Sequence, residues 1–496
     1  MAHCSVMTLS TRLLAGALAL LPLSSLANSE YQQWLQQTRK EYQAYLDAND
    51  KAFLGFLQQQ WEVVDISAPE QRDNTPKPVD LPQAPEPEPV IEDDTPLVTL
   101  PPVLPEAPNK PTPRPKDADT DSDTTATPSA PKNQRKAQLD FFGDRITIHY
   151  PKTFRQQRFF RRVSSDGIAK AWQTLAETPH QALVSELQQT VQQLQLNDWG
   201  AALLFDQFVR SLNISEHSRV LTSWFLLVKA GYDARVAYDD KQVYLLIATS
   251  EQLYGVTFFT LNGKRYYSVN LNGDNLTASS VYTYDGQHDL GKAPIRFDQP
   301  NRFVAGGNTE RRTLEFNYDG HPWSVQLDLP QGYVGYYAQY PQLALASYFR
   351  AGVPTAIGQQ LLQQLQPLVK DQTELEAANR LIRFVQTAFA YETDEQQFQQ
   401  ENYLFAAETL YYPYSDCEDR AILYSWLVNE LLGLDTVIMS FPGHVATAIN
   451  FRGHVEGTGW QQNGKRYVIA DPTFVNANVG MVMPQYSKLT PTLTGF

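Results

Sequence analysis

The chain has 496 residues, a formal net charge of −14, 42% hydrophobic and 12% aromatic residues. That length allows several domains, and the apolar content excludes a chain disordered throughout. The acidic balance argues against nucleic acid and anionic lipid as partners, since both reward clustered Lys and Arg, and two cysteines, Cys4 and Cys417, exclude a disulfide or zinc-finger scaffold.

In chain order, residues 1–27 read as a secretory signal peptide. Arg12 closes a weakly basic start, Leu13–Leu26 is apolar, and Ser25-Leu26-Ala27 is a small-x-small site that predicts cleavage after Ala27. The apolar run is shorter than the ~20 residues of a spanning helix, so no transmembrane span is expected after cleavage, and a periplasmic or secreted location is. Cleavage removes Cys4. A lone Cys417 in a compartment that pairs or discards thiols is either a buried bystander or a reactive group.

Residues 28–66 predict an amphipathic helix, with Trp34, Leu35, Tyr42, Tyr45, Leu46, Phe53, Leu54, Phe56, Leu57 and Trp61 at roughly helical spacing between 30 and 65. It either packs on its own globular part or docks on an envelope partner. Residues 67–135 hold more than half of the 32 prolines among Asp, Glu, Ser and Thr, which predicts a disordered linker. Residues 138–275 predict a strand (Arg145–Tyr150), helices (168–195, 200–212, 216–231) and strands (242–249, 253–260, 264–271). Residues 276–345 are aromatic and β-rich, with period-2 stretches at Arg312–Tyr318 and Trp323–Leu329; composition alone would also suit a carbohydrate-binding module. Residues 346–496 repeat the order of helices then strands.

The repetition is visible at residue level. Ser223-Trp224 recurs as Ser425-Trp426, 202 residues on (425 − 223), Gly231-Tyr232-Asp233 as Gly433-Leu434-Asp435, and Val243 and Ile247 as Val445 and Ile449. Asn262-Gly263-Lys264-Arg265-Tyr266 recurs as Asn463-Gly464-Lys465-Arg466-Tyr467 after one deletion. In this frame Cys417 faces Ser215, His444 faces Gln242, and Asp471 faces Asn270. An amide cannot take a proton near neutral pH, so the first copy is expected to be degenerate and silent.

Ser415 followed by Glu418 is a capping-box pattern that starts a helix over 417–432. Cys417 then falls in its first turn, where the helix dipole favours a thiolate. His444 follows Pro442-Gly443 at a strand start, and Asp471 ends the strand Arg466–Ala470. Antiparallel pairing of those strands would let Asp471 orient His444 while its other nitrogen serves Cys417, the logic of covalent acyl transfer. No metal is expected, because nothing supplies a fourth ligand at a sensible spacing, and no other cofactor is implied.

The runs Tyr412-Pro413-Tyr414-Ser415-Asp416-Cys417-Glu418-Asp419-Arg420-Ala421, Pro442-Gly443-His444-Val445-Ala446-Thr447-Ala448 and Asp471-Pro472-Thr473 resemble the transglutaminase-like superfamily. The likeness covers about residues 374–485, and partly 190–275. It implies an α+β, papain-like core, duplicated with one degenerate copy, a β-rich region between the copies, and an N-terminal helix on a disordered linker. It also implies catalysis by Cys417, His444 and Asp471 on a protein or peptide substrate through a thioester, with the backbone N–H of Cys417 as one oxyanion donor. The second donor is expected from the insertion Tyr403–Tyr414, with Tyr412 and Tyr414 as candidates. A water-accessible cleft would make the enzyme a cysteine peptidase or amidase rather than a cross-linking transglutaminase. The rival reading is a non-catalytic envelope scaffold.

Overall fold

Residues 23–72, 77, 80–85, 134–156, 163–269, 278–284, 288, 290–298 and 302–495 are described by the computed structural model. The first 22 residues of the expected signal segment lie outside them, and no helix among the described residues is long and apolar enough to cross a membrane. The chain is mixed α and β. It divides into a unit ending at Ala52 and one running from Phe53 to Phe496.

The first unit holds most of the helix Leu23–Leu57, on which Trp34 is 59% exposed. The last turn of that helix belongs to the second unit. Phe53 and Leu57 are buried there, the Phe53 ring lying edge-on to Trp172 at 4.5 Å.

Two antiparallel sheets organise the second unit. The first has the strand order Glu62–Asp65, Ser280–Thr283, Ala234–Tyr238, Val243–Ala248, Lys264–Tyr267, Phe258–Leu261. The second runs Gly459–Gln462, Lys465–Ala470, His444–Asn450, Asp435–Phe441, Thr492–Thr494. Apart from Glu62–Asp65, the strands of each follow a buried helix, Glu216–Lys229 or Cys417–Leu432. Their registers coincide at the repeat spacing: Ala234 pairs with Ile247 as Thr436 does with Ile449, and Phe259 pairs with Tyr266 as Trp460 does with Tyr467. Both Asn-Gly turns have positive φ at both residues (52° and 76°; 51° and 76°), the two-residue geometry that suits the twist of a hairpin.

Strand alternation divides each sheet between two apolar layers. Ile438, Val445, Ile449 and Val468 face the main core with Cys417, Leu427, Phe384 and Trp224. Val437, Met439, Phe441, Ala446, Ala448 and Ile469 face a second layer with Phe474, Met483 and Tyr486. The main core is continuous from Phe53 to Val479.

Several local expectations change. The helix expected over 168–195 is two, Ser165–Ala176 and Gln181–Gln193, because Pro179 cannot continue the hydrogen-bond ladder. The strand expected over 253–260 breaks at Gly255, where φ is 70°, into Leu253–Tyr254 and Phe258–Leu261. In the expected β-rich region, Ser280–Thr283 joins the first sheet, while Thr309–Tyr318 and His321–Pro330 form a long hairpin. That hairpin buries Leu314, Phe316, Val325 and Leu327.

The described parts of the expected linker are docked rather than free. Ser67 bridges Phe258, Glu70 takes the Arg265 guanidinium at 3.0 Å, and Gln83 bridges Val475. Two of these contacts are backbone bridges and one is an ion pair, made inside a proline-rich stretch whose composition does not register them.

Candidate active site

Residues Tyr414–Ser415 pair in parallel with Ala390–Tyr391 and deliver the chain to the helix Cys417–Leu432. The N-cap is Asp416, not Ser415, and its backbone N–H donates to Asp419 Oδ2 at 3.2 Å. Ser415 instead accepts from the buried Arg420, whose guanidinium also donates to the Phe389 carbonyl at 2.8 Å and the Gln386 carbonyl at 3.3 Å. Burial lowers Arg420 to about 10, so it stays charged at neutral pH and ties the helix start to the segment 386–389.

His444 begins its strand after Gly443, whose φ of 68° allows the tight turn from Phe441. Its Nε2 lies 2.8 Å from Asp471 Oδ2, and both side chains are buried. The other oxygen of Asp471 accepts from the backbone N–H groups of Thr473 (2.9 Å) and Phe474 (3.2 Å). Gln386 Nε2 donates to the carbonyls of Asp471, Phe474 and Ala477, so the carboxylate sits on a braced turn. Tyr486 stacks on the imidazole, centroids 5.1 Å apart and planes 6° from parallel. Burial pushes the imidazole down, but the Asp471 carboxylate outweighs it, and Glu418 and Asp416 add to the rise above the ordinary value. His444 Nδ1 is buried without a hydrogen-bond partner.

Cys417 is 0% exposed, which corrects the expectation of a water-accessible cleft. Its thiol donates to Glu418 Oε2 at 2.9 Å rather than to His444. Burial first, then the charges of Glu418 and Asp416, hold the thiol well above its ordinary value, with Lys77 acting the other way. Desolvation and the two adjacent carboxylates therefore oppose the thiolate that the helix start alone would favour.

Lys77 enters among these carboxylates. Its ammonium lies 2.6 Å from Asp416, 2.9 Å from Glu401, 3.0 Å from Glu418 and 3.4 Å from Asp394. Burial alone would lower it, yet Glu418 and Asp416 hold it far above the usual lysine value. Oxygens of Asp394, Asp416 and Asp419 come close enough to share a cation, as do the donor atoms of Asp416, Cys417 and Glu418. Those sets were not foreseen from spacing; in this structure Lys77 brings positive charge to Asp394, Asp416 and Glu418.

No hydrogen bond joins the hydroxyls of Tyr412 or Tyr414 to Cys417 or His444. Tyr412 offers its carbonyl to Arg312 and its ring to Phe398. Tyr391, Tyr403 and Tyr486 are raised above the ordinary tyrosine value, by burial first and then by the neighbouring acidic groups of the site. Among the residues expected to be degenerate counterparts, Ser215 donates to Ser218 at 2.9 Å and Gln242 to the Tyr244 hydroxyl at 2.8 Å, so these two are bonded elsewhere. Asn270 lies outside the described residues. The residues missed in the sequence are Lys77, Asp394, Glu401, Gln386 and Tyr486, together with the acceptor role of Glu418. The acidic string Asp416-Cys417-Glu418-Asp419 was the available signal.

No family model, curated protein or solved structure matches this chain.

Proposed function

We propose that the chain is an exported, thiol-dependent acyl-transfer enzyme built on a duplicated transglutaminase-like, papain-like core, acting on amide bonds of a protein or peptide. Cys417 attacks the carbonyl carbon, and its proton passes to His444 Nδ1. The amine leaves with that proton, and water then hydrolyses the thioester. Asp471 holds Nε2 and so sets the tautomer in which Nδ1 is the base. The first oxyanion donor in this reading is the Cys417 backbone N–H at the helix start.

The observation that carries the reading is the buried 2.8 Å bond between His444 and Asp471, with His444 Nδ1 left unpartnered in the same buried region as the only described free thiol. The matching strand order and registers of the two sheets support the duplication. Hydrolysis is favoured over cross-linking because an amine bound among Asp394, Glu401, Asp416 and Glu418 is held as a non-nucleophilic ammonium.

The test is the initial rate of Cys417 alkylation by iodoacetamide at pH 7 in the folded Lys77→Ala chain, which removes the ammonium bridging Asp416 and Glu418 beside the thiol, with and without His444→Ala. A tenfold or greater loss in the folded variant is expected, and equal rates would overturn the reading. One observation favours the rival scaffold: the thiol is closed off and bonded to Glu418. That reading requires labelling indifferent to His444.

A further inference from the structure

Acyl transfer does not require four carboxylates around a lysine that lies 340 positions earlier in the chain than Cys417 (417 − 77). Lys77 is 7% exposed, and its ammonium meets Asp394, Glu401, Asp416 and Glu418 within 3.4 Å. Asp416 Oδ1, also buried, has no hydrogen-bond partner, so the pocket keeps accepting capacity beyond what Lys77 uses.

The flanking segments are docked on both sides. Upstream, the Ile66 N–H donates to the Ser279 carbonyl at 2.9 Å, and Arg72 lies over the Tyr403 ring at 3.5 Å. Downstream, Val475 donates to the Pro82 carbonyl at 3.0 Å and accepts from the Ala84 N–H at 2.8 Å. Ala84 is buried against the layer that contains Phe441, Phe474 and Tyr486. Val475 is four residues beyond Asp471, so an extended backbone pairs beside the orienting carboxylate while its lysine fills the pocket at the nucleophile.

We propose that Asp394, Glu401, Asp416 and Glu418 form a recognition pocket for the ammonium group of a lysine on an extended polypeptide, and that Lys77 is its resident occupant, holding the chain in a latent state. A compact ammonium with three donors suits four converging carboxylates better than a planar guanidinium. The same occupancy accounts for the closed thiol: Lys77 bridges Asp416 and Glu418, the two residues that flank Cys417. The proposal rests on the acyl-transfer reading only in treating Cys417 as the group that is shielded.

The experiment is iodoacetamide labelling of Cys417 in the native full chain, wild type against Lys77→Ala and Ala84→Asp, with thermal melts of each. Ala84→Asp undocks the downstream end without emptying the pocket of its counter-charge, so it carries the test if Lys77→Ala does not fold. Labelling at least tenfold faster in the folded variants is expected. A synthetic peptide of residues 66–85 should restore protection to Lys77→Ala, and the same peptide with Lys77→Met should not. Wild-type rates in the folded variants, or equal protection by both peptides, would overturn the proposal. If the thiol opens but its labelling ignores His444→Ala, the pocket stands and the acyl-transfer reading fails; if it stays closed, the latent state fails whatever the chemistry.

Discussion

His444 and Asp471 meet across neighbouring strands of one antiparallel sheet, Nε2 to Oδ2 at 2.8 Å, with the remaining oxygen of Asp471 committed to two backbone N–H groups. The carboxylate therefore cannot turn away, and the ring presents Nδ1 as its only open nitrogen. The pair is fixed in orientation, with one ring nitrogen left open.

Asp471→Asn tests that positioning. The amide can still accept from Thr473 and Phe474, so stability should change by no more than about 1 kcal/mol. Its NH2 would face Nε2, however, and a hydrogen bond there requires the imidazole proton to sit on Nδ1. His444 would then be the wrong tautomer for a base, as in triads whose aspartate is replaced by asparagine. With the thiol opened by Lys77→Ala, Cys417 labelling at pH 7 should fall at least about tenfold on adding Asp471→Asn, with an unchanged melt, and an undiminished rate would show that the tautomer is irrelevant.

Glu418→Gln addresses the thiol directly. Glu418 accepts the thiol hydrogen and is the largest charge raising the Cys417 titration, second only to burial. Removing that charge should move the labelling midpoint down. A midpoint that stays or rises would mean that burial alone holds the thiol protonated.

Much of this site is legible in the sequence. Cys417 at a helix start, His444 at a strand start and Asp471 at a strand end follow from apolar periodicity and turn residues, which are local signals. The Asn-Gly hairpins and the 202-residue spacing were legible for the same reason, and the two sheets reproduce that spacing in their pairings. The N-cap is one residue later than expected because Asp419, not Glu418, accepts from the N-cap backbone, leaving Glu418 to face the thiol. Lys77 was hidden altogether. A proline-rich, polar stretch reads as solvated, and only its contacts with Asp416, Tyr403 and Val475 reveal that it is bound.

Arg420→Met should be costly. The guanidinium is buried and donates to Ser415, Gln386 and Phe389, so its loss strands two backbone carbonyls and a hydroxyl and removes positive charge from beside Asp416 and Asp419. A loss of about 3 kcal/mol is expected in denaturant unfolding. Gln386→Ala, which frees the turn carrying Asp471, should cost about 2 kcal/mol and also slow Cys417 labelling. An effect of Gln386→Ala on stability alone would separate the brace from the base.

The buried carboxyls give the protein an unusual pH profile. Burial, the largest cause in each case, raises Glu408 to about 8 and pushes Asp394 and Glu418 up as well, with the Lys77 ammonium opposing the rise in the latter two. A carboxyl with a raised folded value binds its proton more tightly folded than unfolded. Its contribution is therefore fully present below the ordinary carboxylate range near 4 and is lost as pH climbs to the folded value. His444, also raised, acts with the same sign from its ordinary value upward. The melting temperature should accordingly fall between pH 5 and pH 9. Glu408 isolates the effect, because it lies outside the Lys77 pocket and its carboxylate accepts only from the Phe405 N–H, a bond that glutamine can keep. Glu408→Gln should be close to wild type at pH 5 and more stable by about 1–3 kcal/mol at pH 9. A variant whose pH slope matches the wild type would show that Glu408 is ionised inside the fold, and that Phe405 and its surroundings solvate the charge.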